Sequence, residues 1–261
     1  MKDLYLTIDD GPSDHTDDLV DFLEDQSIPA ILIVRGEFLS ENPKPIVRAI
    51  EKGFSIGNHL YSHQRVSDLD FVTVVEEIEH TETMIDAAYV IAEKKREHKL
   101  LRFPHMDRGC GGQVVEYDKF PEYREVLKSI FLEGLNAKDT RPDNEMLEKK
   151  HKIQIYLERE GYAQPFKGIT HSFFTETEMA GARDCLYTYS SCDWMLTPRH
   201  KGKWPQKSVQ DLIGRMDRTP YLHKDDSADV LLIHDDRENL LDVTKSLVQY
   251  WRDKGARFQA V

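Results

Sequence analysis

The sequence contains no long hydrophobic run. No stretch approaches the roughly 18 consecutive apolar residues that a membrane helix requires, so we expect no membrane partner. A secretory leader is also missing before the first apolar segment, because Met1-Lys2-Asp3 leads directly into Leu4 to Ile8. The sequence therefore predicts a cytoplasmic protein, or one from which a leader has been removed.

Cysteine and basic charge are both scarce. The three cysteines, Cys110, Cys185 and Cys192, cannot all pair within one chain, and their spacing matches no zinc ribbon, which favours a reducing compartment. Lysine and arginine number 35 against 47 aspartates and glutamates, a net charge of −12 with neutral histidines. Because an acidic chain repels phosphate backbones and no basic run offsets the charge, we expect no nucleic-acid partner.

The apolar content is sufficient for a folded core. Of the 261 residues, 39% are hydrophobic and 10% aromatic, which excludes wholesale disorder. Barrels and large α/β folds of about this length often form one unit. We therefore expect a single domain over residues 1–261.

Short β-rich segments alternate with helical patterns along most of the chain. Most of these segments are apolar enough to be buried on both faces, which favours a parallel sheet. The predicted strands are Leu4–Asp9, Ala30–Val34, Phe54–Ile56, Leu100–Phe103, Phe166–Thr170, Val230–His234 and Arg257–Val261. The predicted helices are Asp17–Asp25, Pro45–Lys52, Asn239–Lys254 and Phe71–Lys95, the last with a buried stripe of Phe71, Val75, Ile78, Ile85 and Tyr89.

This alternation allows either an open doubly wound sheet or a (β/α) barrel. The Gly-rich fingerprint of a dinucleotide-binding sheet is missing after the first strand, where the chain reads Asp9-Asp10-Gly11-Pro12, so an α/β barrel is the better prediction. Two long segments, from Gly109 to Asn144 and from His171 to Pro205, lack a repeated pattern of their own. Such segments are often functional loops.

Two carboxylates and two imidazoles form the first candidate site. Asp9 and Asp10 end the first predicted strand, although such a segment alone is also typical of a solvated turn. His59 and His63 are four residues apart and would share one face if a helix began there, whereas either histidine alone is more often structural. Asp10 with the two histidines makes three protein ligands and leaves a position open for water, which is typical of catalytic zinc.

Other polar residues lie where strands end. Arg102 precedes the turn Phe103-Pro104-His105, at the end of a barrel strand where active-site groups collect. The segment Ser190 to Trp194 contains Asp193, and the apolar run from Val230 ends in His234. Each of these residues alone has an ordinary structural explanation, and only their combination suggests a site.

Taken in chain order, these five segments resemble the polysaccharide deacetylase family, the NodB homology group also called carbohydrate esterase family 4. Thr7-Ile8-Asp9-Asp10-Gly11-Pro12 resembles the family's Thr-Phe-Asp-Asp-Gly-Pro block, and His59 through His63 resembles its His-x-x-x-His block. The family's Arg-x-x-Pro-Tyr, Asp-Trp and Leu-x-His blocks are similar to Arg102 through His105, Asp193-Trp194 and Leu232 through His234. The resemblance spans about residues 4–235.

The resemblance implies a distorted (β/α) barrel of the NodB type with long insertions. It implies a hydrolase that removes N-acetyl groups from an amino-sugar-containing carbohydrate, which makes such a carbohydrate the expected partner. It also implies a divalent metal, usually zinc, bound by Asp10, His59 and His63. Asp9 would be the general base, held by Arg102.

The same resemblance assigns the acid and the pocket walls. His234 would protonate the leaving amine, with Asp193 raising its pKa and fixing its orientation. The backbone N–H of His105 would bind the oxyanion, and Trp194 and Leu232 would enclose the acetyl methyl group.

Two departures and two alternatives accompany this interpretation. His105 stands where the family usually has Tyr, and Ser190 where it has the first Asp of the fourth block. A metal-free relative that opens small cyclic amides would not need His59 and His63. A non-catalytic carbohydrate-binding relative would not need Asp9 or His234.

Overall fold

The computed structural model of the chain describes residues 1–135 and 137–261. The strands are β1 (Asp3–Asp9), β2 (Ile31–Val34), β3 (Ser55–Asn58), β4 (Tyr189–Ser190), β5 (Asp229–His234) and β6 (Arg257–Phe258). The helices are α1 (Thr16–Asp25), α2 (Gly36–Glu41), α3 (Lys44–Glu51), α4 (Phe71–Ile91), α5 (Arg124–Lys128), α6 (Asn144–Arg159), α7 (Ser172–Thr175), α8 (Val209–Asp217) and α9 (Leu241–Asp253). Among the described helices, none is long and apolar enough to cross a bilayer.

The sheet is parallel, with strand order β3-β2-β1-β5-β4 and with β6 paired to β1. Its strands are largely buried because helices cover them, as their continuous apolar composition predicts. In the β1–β5 register, Asp9 lies opposite His234. The carboxyl ends of two central strands therefore place an acidic and an imidazole side chain next to each other.

Backbone hydrogen bonds close this sheet into a distorted barrel. Asn58 at the end of β3 receives a hydrogen bond from the N–H of Arg102 and donates its own N–H to the carbonyl of Leu100. The N–H of Cys185, on the segment that leads into β4, donates to the carbonyl of Leu101 over 2.6 Å. The residues 100–102 thus join β3 to the β4 side, and the predicted α/β barrel is confirmed.

Two predicted strands differ from the structure. The segment Leu100–Phe103 forms only an isolated bridge, between Leu101 and Asn58, instead of a strand. The prediction of a strand at Phe166–Thr170 is wrong. Gly168 has a φ of +74°, which interrupts extended backbone, and this segment meets the residues before β5 mainly through the N–H of Ala228 donating to Gly168.

The four predicted helices are present, but α4 ends earlier than predicted and buries a different set of residues. The helices predicted at Asp17–Asp25, Pro45–Lys52 and Asn239–Lys254 are α1, α3 and α9, with ends that agree within two residues. The helix α4 ends at Ile91 instead of Lys95, because Glu93 adopts a φ of 54°. The stripe is also displaced: Ile78 and Ile85 are buried with Val74 and Ala88, whereas Phe71, Val75 and Tyr89 are only partly buried.

The two long segments predicted as functional loops pack around an apolar cluster of their own. The first carries α5 and a π-helical turn over Ser129–Glu133, and the second carries α7 and β4. Their shared cluster includes Val115, Phe131 and Leu186. A buried ion pair also ties the start of the first segment to the second, because Arg108, directly before Gly109, donates from Nε and Nη2 to the two carboxylate oxygens of Asp184, each over 2.9 Å. They are therefore folded parts of the barrel wall.

Candidate active site

The turn after β1 sets the direction of the paired carboxylates. Asp9 ends the strand and is 3% exposed, whereas Asp10 has a φ of 77°, so the two side chains leave the backbone in different directions. Gly11 follows in close contact with Asp235, since a Cβ on this glycine would lie 2.8 Å from Asp235 Oδ2. Ser13 Oγ donates to the other oxygen of Asp235 over 2.6 Å. Buried contacts thus fix this turn, which distinguishes it from the solvated turn that the sequence also allowed.

Asp10, His59 and His63 form the one group of potential metal ligands among the described residues. One ligand atom from each lies within 4.8 Å of the others. Oδ1 of Asp10 is 3.0 Å from His63 Nε2 and 3.5 Å from His59 Nε2. This oxygen is buried and has no hydrogen-bond partner in the described part of the chain. A carboxylate oxygen and two imidazole nitrogens that face one point without bonding to each other fit a divalent metal such as zinc.

The two histidines meet through a loop, and the helix proposed for them is absent. His59 follows β3, Leu60 and His63 have φ values of 60°, and the rings approach to 5.0 Å between centroids. Nδ1 of His59 lies 2.7 Å from the carbonyl of Arg102, which leaves Nε2 directed at Asp10. Burial alone raises the pKa of Asp10, but His63 and His59 hold this pKa well below its usual range.

Asp9 and Arg102 form a buried ion pair beside the metal-ligand group. Nη1 of Arg102 donates to Asp9 Oδ1 and to Thr7 Oγ1, each over 2.8 Å, and Nε donates to the carbonyl of Cys185 over 2.8 Å. Arg102 is 1% exposed. The other carboxylate oxygen of Asp9 lies 3.9 Å from His59 Nε2. The Asp9 carboxylate is thus held through Oδ1, while Oδ2 faces the metal-ligand group.

His234 and Asp193 form a second charged pair across the cleft. Nδ1 of His234 lies 2.7 Å from Asp193 Oδ1, and the backbone N–H of His234 donates to Asp193 Oδ2 over 2.8 Å. Ser191 Oγ also donates to Asp193, over 2.8 Å. Burial alone lowers the pKa of His234, but the Asp193 carboxylate raises it to about 9. The imidazole is therefore protonated at neutral pH.

The predicted pocket residues line the same cleft. His105 has a φ of 55° and its ring is edge-on to His63, with centroids 4.6 Å apart. Burial lowers the pKa of His105 to about 3, so this imidazole is neutral. Trp194 donates from Nε1 to the carbonyl of Gly134 over 3.1 Å, and Leu232 is buried in β5.

All ten predicted site residues lie together around a cleft of about 260 Å³, here called the polar cleft. Its walls are formed by Asp9, Asp10, His59, His63, Arg65, Phe103, His105, Met106, Gly134, Leu135, Trp194, Arg199, His200, Trp204, Leu232, His234 and Asp236, with Arg102 and Asp193 directly behind Asp9 and His234.

Sequence reasoning missed six polar or aromatic residues of this cleft: Arg65, Phe103, Arg199, His200, Trp204 and Asp236. The rings of Trp204 and His200 lie 5.4 and 5.1 Å from Trp194. Arg65 is two positions after His63 and Asp236 two after His234. This proximity to the motifs was the available signal for Arg65 and Asp236. Trp204 lies in the segment from His171 to Pro205 that the sequence predicts as a functional loop, but nothing in the sequence singled out this residue.

Comparisons with known proteins agree with the family resemblance. The model of the family described as Polysaccharide deacetylase matches residues 1–109. Two proteins named chitooligosaccharide deacetylase match, one from Rhizobium leguminosarum bv. trifolii at 31% identity over 88 residues and one from R. leguminosarum bv. phaseoli at 38% over 87 residues. Each match covers 33% of this chain, and they cover 41% and 38% of those proteins. The match thus spans about two fifths of these relatives.

A relative with another substrate name also matches. The peptidoglycan-N-acetylmuramic acid deacetylase PdaC from Bacillus subtilis (strain 168) is 29% identical over 87 residues, which cover 33% of this chain and 19% of that protein.

Solved structures extend the likeness to the whole chain. A family 4 carbohydrate esterase from Streptomyces lividans, in complex with acetate, has a TM-score of 0.57 at 18% identity, with 98% of this chain and 90% of that chain covered. The structure of PdaC from Bacillus subtilis has a TM-score of 0.57 at 17% identity, with 100% and 88% covered. At these identities the likeness establishes the fold. With the family model matching residues 1–109, the resemblance of this chain to the polysaccharide deacetylase family is confirmed.

Proposed function

We propose that this chain is a metal-dependent hydrolase that removes N-acetyl groups from an amino-sugar-containing carbohydrate. One observation carries the proposal: the polar cleft holds the Asp10, His59 and His63 group together with two differently charged pairs, Asp9–Arg102 and His234–Asp193. Amide hydrolysis needs a group that accepts a proton and another that donates one. The names of the matched relatives, chitooligosaccharide and peptidoglycan deacetylases, support an N-acetylated carbohydrate as the substrate class.

Asp10, His59 and His63 are the residues that would hold the metal. Their donor set, one carboxylate oxygen and two imidazole nitrogens, favours zinc over magnesium or calcium, which prefer oxygen ligands. When bound, a divalent ion polarises the acetyl carbonyl and the attacking water and offsets negative charge that develops on oxygen.

Asp9 is proposed to accept the proton of the attacking water. One of its oxygens is held by Arg102, so the other is free to act and lies on the side of the metal ligands. As the proton moves to this oxygen, a bond forms between the water oxygen and the acetyl carbon. Arg102 does not touch substrate in this account, and it acts as a positioning residue.

His234 is proposed to donate a proton to the departing amine. The carbon–nitrogen bond then breaks, leaving acetate and a free amino sugar. With its pKa raised to about 9, the imidazole carries the proton it must give at neutral pH, and Asp193 keeps Nδ1 occupied so that Nε2 can donate. Trp194 and Leu232 line the cleft where the acetyl methyl group would lie, and the backbone N–H of His105 is the proposed oxyanion donor.

Two alternatives are less well supported by the geometry. A metal-free opening of cyclic amides would make no use of three ligand atoms within 4.8 Å of one another. A non-catalytic carbohydrate-binding role would make no use of the buried Asp9–Arg102 and His234–Asp193 pairs. Since one of the matching solved structures is titled a CE4 family pseudoenzyme, the fold alone does not decide between binding and catalysis.

The test is acetate release from a panel of substrates. Purified protein is incubated with N-acetylglucosamine oligomers, a peptidoglycan fragment and a small cyclic amide, each with added zinc and after exhaustive chelation. We expect acetate from at least one acetylated carbohydrate, with zinc only, and none from a His234→Ala variant. Ring opening of the cyclic amide without metal would instead favour the first alternative.

A further inference from the structure

We propose that Arg65 binds an anionic substituent, a carboxylate or a phosphate, on the carbohydrate whose N-acetyl group is removed. This inference rests on the proposed deacetylase function and narrows its substrate class. It concerns a residue that lines the polar cleft with Asp10 and His63 and that the mechanism above does not use.

The other charged side chains at the polar cleft are either paired with an opposite charge or belong to the metal-ligand group. Asp9 is paired with Arg102 at 2.8 Å, and Asp193 with His234 at 2.7 Å. Asp236 is paired with Arg199, and Asp10 belongs to the metal-ligand group. In the part of the chain that the structure describes, Arg65 alone among the cleft cations has neither an ion pair nor a side-chain hydrogen bond.

The backbone that carries Arg65 is held in place. A 3₁₀ turn, Val66–Asp68, begins directly after it, and the N–H of Asp68 donates to the Arg65 carbonyl over 3.0 Å. Lys149 donates from Nζ to three carbonyl groups of this turn, those of Val66, Ser67 and Leu69, at 2.9 to 3.0 Å. The Arg65 guanidinium is thus unpaired, while the backbone that carries it is held in place. Less backbone entropy is therefore lost when a ligand binds.

An unpaired guanidinium on a fixed backbone is suited to an anion more than to a neutral sugar. Its planar donors match carboxylate and phosphate oxygens two at a time, whereas sugar hydroxyls accept equally well from neutral groups. The protein as a whole carries a net charge of −12, which repels anionic substrates. A local cation beside the metal-ligand group would overcome this repulsion where the substrate reacts.

The shared cleft also places the anion relative to the reacting bond. Arg65 lines the polar cleft together with His63 and Asp10, whose Nε2 and Oδ1 atoms lie 3.0 Å apart. The substituent recognised by Arg65 would therefore belong to the acetylated sugar itself or to its immediate neighbour. A charge many sugar units away would not reach this part of the cleft.

The experiment compares substrate preference in Arg65→Gln, Arg65→Lys and the wild-type protein. The probes are chitotetraose, which is neutral, a glycan fragment containing N-acetylmuramic acid, which carries a carboxylate, and N-acetylglucosamine 6-phosphate. The quantity measured is the ratio of kcat/KM on each anionic probe to kcat/KM on chitotetraose, at two salt concentrations. Lys201→Gln is the control, because Lys201 is exposed and does not itself line the cleft, although its neighbours Arg199 and His200 do.

We expect the wild-type protein to prefer one anionic probe, and Arg65→Gln to lower that preference about tenfold, mainly through KM, while the bound metal stays at the wild-type level. Arg65→Lys should retain part of the preference, and Lys201→Gln should retain all of it. The probe whose ratio falls identifies the anion as carboxylate or phosphate. Added salt should weaken the preference in the wild-type protein and in Lys201→Gln, and should change it little in Arg65→Gln.

The proposal is overturned if the wild-type protein does not prefer an anionic probe, or if Arg65→Gln lowers all rates equally. It is also overturned if Lys201→Gln changes the ratio as much as Arg65→Gln does. Absence of acetate from every probe would instead refute the deacetylase function, so the two failures are distinguishable. Thermal unfolding of each variant verifies that a lost preference does not reflect lost structure.

Discussion

At the scale of single residues, Asp9 and Asp10 are neighbours in sequence with different expected tasks. Asp10→Ala removes one of three metal ligands, so bound metal and turnover should both fall. Asp9→Asn keeps the shape of the side chain but cannot accept a proton, so metal should remain while turnover falls by about 10²–10⁴-fold. Zinc content and acetate release are measured on both variants side by side.

The exposed Asp14, four positions further along, provides the control for a lost carboxylate. Asp14→Asn should leave zinc content and acetate release near their wild-type values. Loss of metal in Asp9→Asn together with its retention in Asp10→Ala would reverse the two assignments.

The charge on His234 predicts the alkaline limit of activity. A general acid must be protonated, and the pKa of His234 is raised to about 9, so activity should decline as pH rises through about 9. Asp193→Asn removes the main group that raises this pKa, while burial, which lowers it, remains. The alkaline limit should then move to lower pH, although Asp10 and Asp9, which also raise this pKa, remain. A rate profile from pH 5 to 10 measures this, and an unchanged limit in the variant would exclude His234 as the acid.

The motif residues could be predicted from sequence because each lies at a strand end or in the adjoining turn. Asp9 and His234 end β1 and β5, which are adjacent, so parallel pairing brings them together. The helix that would have placed His59 and His63 on one face does not form, since positive φ values at Leu60 and His63 bring the rings together through a loop. Trp204 could not be singled out, because its place in the cleft depends on how distant segments pack.

At the scale of elements, the buried pair Arg108–Asp184 connects the residue directly before the first long segment to the second segment. Arg108→Met would leave the Asp184 carboxylate buried without its partner, and such a loss typically costs about 3–5 kcal/mol in the free energy of unfolding. Arg159→Met, which removes an exposed ion pair with Glu160, should cost less than about 1 kcal/mol. Urea unfolding followed by circular dichroism measures both changes. Equal effects of the two substitutions would mean that the buried pair does not anchor these segments.

The strands that sequence patterns recovered are those with continuous apolar runs. The strands β1, β2 and β5 are buried along most of their length, and their composition reflects this. The strand β4 is only Tyr189–Ser190, too short to produce a pattern, and it exists because it pairs with Leu231 and Leu232 of β5. Phe166–Thr170 has a strand-like composition, but the left-handed backbone of Gly168 prevents extended pairing. In both segments, whether a strand forms depends on the surrounding structure more than on local composition.

At the scale of the whole molecule, composition predicts more about partners than the fold does. The excess of acidic residues disfavours nucleic acid, and this stays a prediction, as does the cytoplasmic location. The α/β barrel was predictable because strand and helix patterns alternate and the dinucleotide fingerprint is missing. The closure of the barrel through residues 100–102 was not predictable, because single backbone hydrogen bonds leave no compositional signal.

A zinc titration of the chelated protein measures whether the proposed deacetylase activity depends on bound metal. Acetate release from an N-acetylated oligosaccharide is measured as a function of zinc bound per chain, in the wild-type protein and in Asp10→Ala. We expect no acetate release without metal. In the wild-type protein only, the rate should rise in proportion to bound zinc up to about one ion per chain. A full rate of acetate release from the metal-free wild-type protein would contradict the proposed metal dependence.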